Sequence, residues 1–282
     1  MTVIRSAKQM ALVARRLRAQ GKAIGVVPTM GALHEGHASL IRAAAVRNDV
    51  VIVTIFVNPL QFGPSEDFAR YPRPFTRDLR VARAAGAAII FSPDAHELYP
   101  EGFQTTIDVG ALARRWEGQR RSGHFRGVAT VVTLLFELTQ PTHAYFGQKD
   151  YQQARVIQQL VRDLHLPLTV HVLPTVREPN GLAMSSRNAY LSAQERAQAA
   201  VLYQALTLAR ARIRAGERRA QPLLASMRRL IRRAPQTRID YLAIVDAVTL
   251  EPVSRLRRRM AILLAVRVGP TRLIDNLLVD VS

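Results

Sequence analysis

The chain has 282 residues, 48% of them apolar, and a formal charge of +19 at pH 7. That length buries a substantial core and favours one large domain or two unequal ones. The absence of cysteine excludes a disulfide framework, a thiolate metal site and a thiol nucleophile.

No run of about 18 apolar residues occurs and the N-terminus turns amphipathic too early for a signal-peptide core, so no membrane partner and a cytoplasmic location are expected. The charge raises nucleic acid as a partner. Yet 37 of the 40 basic residues are arginine, spread through the chain, with lysine only at Lys8, Lys22 and Lys149. Clusters such as "RRLIRR" at 228–233 and "RLRRRM" at 255–260 lack interleaved aromatics. A solvated basic surface is therefore preferred, with some arginines facing anionic substrates, and no nucleic-acid partner is expected.

Residues 4–20 alternate charged and apolar groups at helical spacing, and "KAIGVVP", 22–28, reads as a buried strand ending at proline. A helix is expected from about Gly36 to Arg47. "DVVIVTIFVNP", 49–59, is a β-branched run of the kind covered on both faces in a parallel sheet. "FTRDLRVARAAG", 75–86, predicts a helix stopped by Gly86, and "AAIIFSP", 87–93, a third strand. Past a bend at "LYPEGF", "QTTIDV" (104–109) reads as a strand. "GVATVVTLLFELTQP" (127–141) predicts a buried helix and "HAYFG" (143–147) the next strand. A helix from 150 and a strand from 168 complete the alternation of an α/β fold, a Rossmann-like doubly wound parallel sheet with ligands at its carboxyl ends.

From about residue 188 two long helical stretches, 193–215 and 220–233, precede strands in "TRIDYLAIVDA" and "RMAILLAVRVGPTRLIDNLLV". This order predicts a smaller C-terminal α+β domain. With a boundary between 177 and 190, the domains are set at 1–180 and 181–282.

In "VVPTMGALHEGHASL", 26–40, two histidines three apart follow the first buried strand. Gly31 and Gly36 permit a tight turn and close approach by a ligand. If the helix begins near them, His34 and His37 share one face, about 5–6 Å apart at Cβ. They then lie beside a helix N-terminus whose free N–H groups suit phosphate oxygens, which makes an anion site. A zinc site is disfavoured, because a third ligand would have to be a carboxylate or one of five scattered histidines.

His34-Glu35-Gly36-His37 resembles the His-x-Gly-His signature of the nucleotidylyltransferase superfamily, whose members bind ATP and transfer an adenylyl or similar group. Five co-linear stretches are more specific: "PTMGALHEGHASLI", "FVNPLQFGPSEDFARYP", "GHFRGVATVV", "AYFGQKDYQQ" and "REPNGLAMSSRNAYLS". In order and spacing they resemble the pantoate–β-alanine ligases, as does "IDYLAIVD" near the C-terminus. The resemblance implies a two-step ATP-dependent reaction. Pantoate and ATP give pantoyl adenylate and pyrophosphate, and the amine of β-alanine then displaces AMP to form pantothenate. It also implies Mg²⁺ accompanying ATP, a homodimer, and a C-terminal domain that closes over the active site.

By the same resemblance His37, His34 and Lys149 are catalytic, and Met30, Gly31, Ala32, Leu33, His34, Glu35, Gly36 and His37 line the ATP site. A carboxylate attacking phosphorus piles charge on phosphoryl oxygens, so fixed donors matter more than a strong base. Gly147, Gln148, Lys149 and Asp150 join the same site. Lys149 is a compact cation in a chain that otherwise writes arginine, although alone it is an ordinary loop lysine. Asp150 is also a helix cap in the ordinary way. "AMSSRN" resembles the superfamily's second signature, placing Met184, Ser185, Ser186 and Arg187 on the triphosphate and Val176 on the adenine. Gln61 and Gln153 match the family's pantoate-binding glutamines, with Gln61 also facing β-alanine. Asn58 is a weaker candidate for that pocket. Three positions depart from the family pattern: Gln148 for glutamate, Asn180 for aspartate and Ser122 for proline. Two other functions fit parts of the chain: another adenylyl or cytidylyl transferase, which would not need the paired glutamines, and a basic nucleic-acid-binding protein, which would use the arginine clusters.

Overall fold

The computed structural model describes every residue except Ser65 and Ser282. The chain forms two compact units, one of residues 1–148 with 152–174 and one of residues 149–151 with 175–282. The main division thus falls six residues ahead of the expected 180/181 boundary, because the segment after Pro174 makes its bonds to the C-terminal strands, as described below.

The first unit contains, in chain order, β1 (Thr2–Ile4), α1 (Ala7–Ala19), β2 (Ile24–Thr29), α2 (Glu35–Arg47), β3 (Val50–Ile55), α3 (Phe75–Ala85), β4 (Ile89–Phe91), α4 (Ala95–Leu98), α5 (Glu117–Arg120), α6 (His124–Thr139), β5 (His143–Gly147), α7 (Tyr151–Asp163) and β6 (Thr169–Leu173). The first residue of α7, Tyr151, groups with the second unit. The strands form one parallel sheet in the order β1-β4-β3-β2-β5-β6. Successive side chains on a strand point to opposite faces, and both faces here are apolar. Ile24, Val26, Ile52, Phe91, Ala144 and Phe146 pack with α1, α6 and α7 on one side. Val27, Val51, Val53, Ile90 and Tyr145 pack with α2 and α3 on the other. That double covering explains why the strands read as continuous apolar runs, and it makes the fold the expected Rossmann-like, doubly wound sheet.

One local expectation needs correction, and one strand is present that the sequence did not signal. "QTTIDV" forms no strand: the Ile107 N–H donates to Thr130 Oγ1 of α6 at 3.0 Å, so the segment lies against a helix and finds no ladder. Residues 2–4, too short to show a pattern, do form a strand, paired with β4.

The second unit contains α8 (Ala193–Ala199), α9 (Val201–Arg214), α10 (Ala220–Ile231), β7 (Thr237–Asp246), β8 (Arg258–Val268) and β9 (Thr271–Val281). The single helix expected over 193–215 is two, divided at Ala200, the first opened by a capping box between Ser192 and Glu195. The strands make an antiparallel sheet in the order β7-β8-β9. Leu202, Leu206, Leu223 and Met227 of the helices pack on Ile244, Ile262, Leu264 and Val266 of the strands. This is the expected α+β arrangement. Among the described residues no helix is long and apolar enough to cross a membrane.

One close approach ties the fold to the site. Gly127 of α6 lies against the 3-10 turn Pro59–Gln61, so a Cβ there would collide with the Leu60 carbonyl and sit 2.7 Å from the Gln61 nitrogen. Both are backbone atoms with little room to yield. Overpacking of this kind costs about 1–3 kcal/mol. Gly127→Ala is therefore expected to lower the unfolding free energy measured in urea by that amount, and an unchanged midpoint would show that the turn moves freely.

Candidate active site

The sheet order reverses beside β2: β3, β4 and β1 extend to one side, β5 and β6 to the other. Ligands of open α/β sheets bind outside the carboxyl ends of the strands at such a switch point. The segments leaving it are residues 30–34 after β2 and Gln148 after β5. The loop signalled by the two histidines is therefore where the topology places a crevice.

The β2–α2 loop is held almost entirely from within. Gly31 and Ala32 are both left-handed, with φ of 85° and 50°, so the turn is made by these two and not by Gly36, which lies in the first turn of α2. Gly31 N–H donates to Thr29 Oγ1 at 3.2 Å. Ala32 and Leu33 N–H donate to the two carboxylate oxygens of Asp78, at 2.9 and 2.7 Å. His34 caps α2: Gly36 N–H donates to its Nδ1 at 3.1 Å, and His34 N–H donates to Nδ1 of His37 at 3.3 Å. His37 and Ala38 N–H both donate to the His34 carbonyl. Of the N–H groups expected to be free at this helix start, that of Gly36 is thus taken up by the His34 imidazole and that of His37 by the His34 carbonyl. In exchange, both rings accept at Nδ1, so the neutral ring carries its hydrogen on Nε2 and turns that donor edge away from the backbone. The rings lie 4.1 Å apart between centroids and 38° from parallel. Glu35 is the acidic residue of the first turn and its carboxylate pairs with Arg42.

Asp78 gave no signal in the sequence. It is 1% exposed on α3, and burial pushes its carboxyl up, opposed by the two N–H bonds and by Arg77.

Gln61 is oriented just as firmly. Its Oε1 accepts from Asn58 Nδ2 at 3.1 Å, which turns its NH₂ toward Met30, where it donates to Sδ at 3.0 Å. A thioether is a weak acceptor, so this amide is aimed at a position where a better acceptor would take the bond. Asn58, 1% exposed, also donates to the Gly127 carbonyl, while its Oδ1 accepts from Leu60 N–H and Tyr99 OH. Its polar atoms hold Gln61 in place. His124 grips the Gln61 carbonyl through Nδ1 at 2.8 Å and meets Arg121 Nη1 through Nε2 at 2.9 Å. Arginine only donates, so Nε2 accepts and Nδ1 carries the hydrogen, and the ring is neutral. Burial and the Arg121 charge lower its pKa to about 4. Arg121 in turn makes a two-pronged bond to Glu66 at 2.7 and 2.6 Å. Ser122, the departure in this segment, is an exposed residue of the turn before α6. Gln153 lies half-buried in the first turn of α7, beside Gln152, whose amide is spent on the carbonyls of Leu112 and Arg115.

In the second unit the "AMSSRN" segment belongs to a short two-stranded loop. Arg177 bridges Ala183, Met184 N–H donates to the Val176 carbonyl at 3.0 Å, and Glu178 N–H donates to that of Leu182 at 2.8 Å. Asn180 Oδ1 accepts from Leu182 N–H at 3.0 Å, a bond that aspartate would make equally well. Arg177 anchors the loop, with a two-pronged bond to buried Asp275 of β9 at 2.6 and 2.9 Å and stacking at 3.9 Å over Tyr203. Ser185 caps the 3-10 turn 186–190 by accepting from Arg187 N–H. Asn276 Nδ2 donates to the Lys149 carbonyl and Tyr151 OH to that of Ala247, which explains why residues 149–151 group with this unit. The Lys149 ammonium sits 3.3 Å from Asp150 Oδ1.

Paired imidazoles at the switch point of a parallel sheet define a ligand-binding α/β protein of the Rossmann-like class. The family is specific. A family model described as pantoate-beta-alanine ligase matches residues 2–278. A pantothenate synthetase from Moorella thermoacetica is 54% identical over 265 residues, covering 94% of both chains. The solved pantothenate synthetase from Thermus thermophilus is 46% identical with a TM-score of 0.93, covering 98% of this chain and 99% of that one. A pantoate–β-alanine ligase from Francisella tularensis, solved with beta-gamma ATP and β-alanine, is 35% identical with a TM-score of 0.80, over 99% and 97% of the chains. The chain belongs to the pantoate–β-alanine ligase family and is an enzyme of the ligase class.

The His124 network carries a pH signature. With a folded pKa near 4 against about 6.5 unfolded, the unfolded chain binds the extra proton between those values, so this contribution is complete above pH 6.5 and lost as pH falls toward 4. The full span corresponds to roughly 3 kcal/mol. His124→Asn, which keeps a donor for the Gln61 carbonyl but does not titrate, is expected to flatten the pH dependence of unfolding free energy in that window. An unchanged slope would show that other groups carry it.

Proposed function

We propose that this enzyme condenses pantoate with β-alanine through a pantoyl adenylate. A pantoate carboxylate oxygen attacks the α-phosphorus of ATP, and the bond to the bridging oxygen breaks with departure of pyrophosphate. The amine of β-alanine then attacks the acyl carbon, loses a proton and expels AMP. The observation that carries the reading is the pair of imidazoles whose Nδ1 atoms are occupied by backbone N–H groups. Such rings are preset as Nε2–H donors for phosphoryl oxygens, and preset donors require no reorganisation as charge develops. The NH₂ of Gln61, turned toward Met30, suits the carboxylate or hydroxyl of a small hydroxy acid, and the resemblance gives Gln153 the same role. In the second unit, Lys149, Ser185, Ser186 and Arg187 have the donor chemistry that phosphates need.

Mg²⁺ belongs to this reading as the companion of ATP. Among the described residues no group of three or more histidine and acidic side chains could hold a metal ion, so the donor set fits an ion carried on phosphate oxygens. When bound it would neutralise phosphate charge. By resemblance the enzyme is a cytoplasmic homodimer, and sedimentation of the purified protein would check the dimer.

The decisive experiment is exchange of labelled pyrophosphate into ATP, with AMP release measured alongside. Exchange with pantoate alone, and AMP release only once β-alanine is added, are expected. Exchange that is indifferent to pantoate would overturn the substrate and leave another nucleotidylyl transfer.

Two substitutions separate the roles of His37. Asparagine retains an acceptor where Nδ1 stood and removes the Nε2 donor, so His37→Asn is expected to unfold near the wild-type midpoint and lose about 10²–10³ in kcat. Glutamine reaches the Nε2 position, and His37→Gln is expected to recover part of that rate. Equal, full activity in both would remove His37 from the chemistry.

A further inference from the structure

Asp78 is a buried carboxylate with no ion pair among the described residues, and the one charge acting on it is that of its neighbour Arg77. Ionised groups are rarely buried without a partner, and a negative charge beside a loop that receives anions is unfavourable on charge alone. Its placement there needs a compensating reason. The two carboxylate oxygens each take one N–H, from Ala32 and Leu33, consecutive residues of the β2–α2 loop. Asparagine offers one acceptor oxygen and a hydroxyl a poorer reach, so a carboxylate is the side chain that gives each of these N–H groups an oxygen of its own. Ala32 is in a left-handed conformation that costs an alanine energy and persists only where the surroundings over-determine it. Gly31 precedes it, also left-handed, with its missing Cβ position 3.0 Å from Asp78 Oδ2. The next residue after the anchored pair is His34, the cap of α2, whose N–H and Nδ1 close the bonds that orient both imidazoles.

We infer that Asp78 is a positioning residue of the reaction: by clamping the Ala32 and Leu33 amides it sets the left-handed turn that brings His34 and His37 into register. It acts from α3, through backbone, without itself meeting substrate. This rests on the reading of the histidine loop as the phosphate site.

The test uses the full-length protein and two readouts. The first is independent of activity: hydrogen exchange of the Ala32 and Leu33 amides, and the ¹⁵N shifts of the His34 and His37 rings, in wild type and Asp78→Asn. Asparagine has the same shape and keeps one of the two acceptors, so the variant is expected to fold, to lose tenfold or more in protection at one or both amides relative to core amides of β3, and to mix tautomers at the two rings. The second is pantothenate formation under conditions where the variant is fully folded, with kcat expected to fall ten- to a hundredfold. Unchanged protection and ring shifts, or a folded Asp78→Asn enzyme turning over within twofold of wild type, would overturn the inference. If the wild type makes no pantothenate, the functional reading fails by itself, and the exchange and ring-shift data still decide whether Asp78 orders the loop. Should Asp78→Asn not fold, Asp78→Ser, which removes both carboxylate oxygens without adding bulk to α3, takes its place with the same two readouts and the same overturning results.

Discussion

Seven backbone N–H groups between residues 31 and 38 are turned onto acceptors of the protein itself, and the character of the candidate site depends on that. A buried N–H must find a partner or cost free energy comparable to a lost hydrogen bond. Where a glycine-rich loop leaves its amides for phosphate, the anion becomes that partner. Here threonine, aspartate and imidazole side chains and the His34 carbonyl fill the role, and the donors of the proposed reaction are ring nitrogens. The loop is shaped before any ligand arrives, and its chemistry is that of histidine more than of backbone.

The same logic recurs at Gln61. One amide can serve a substrate with a defined sense only if its oxygen is already committed, and Asn58 commits it. Asn58 is held by Gly127 and Tyr99, and the Gln61 carbonyl is held by His124, itself a neutral ring between a carbonyl and an arginine. Each member has the donor or acceptor left over by the previous one, so the chain of bonds has a single consistent assignment. In the second unit Asp275 plays a similar part for Arg177, and through it for the loop carrying Ser185 and Arg187.

Much of the candidate site was legible because its residues stand in short, ordered strings: the two histidines, the lysine of "GQKD" and the serines of "AMSSRN". The supporting residues were legible only in part. Arg121 and His124 sit in a string whose family likeness could be seen, yet nothing local says that His124 faces the carbonyl of a residue 63 positions earlier. Asp78 was invisible, since an acid in the first turn of an amphipathic helix looks like any helix-start carboxylate. "QTTIDV" misled for the converse reason: its β-branched residues have strand propensity, but a strand needs a neighbour, and the neighbour here is α6.

The sequence by itself determined the alternation of strands and helices, the parallel character of the sheet and the strings that mark the family, because apolar periodicity and local turn chemistry are properties of consecutive residues. Tertiary structure alone decided which strand neighbours which, and so where the switch point falls. It also decided the break at Ala200, the grouping of residues 149–151 with the C-terminal unit, and the pairing of Asp78 with a loop 45 residues away. These depend on which distant donors and acceptors burial brings face to face, and no spacing along the chain records that.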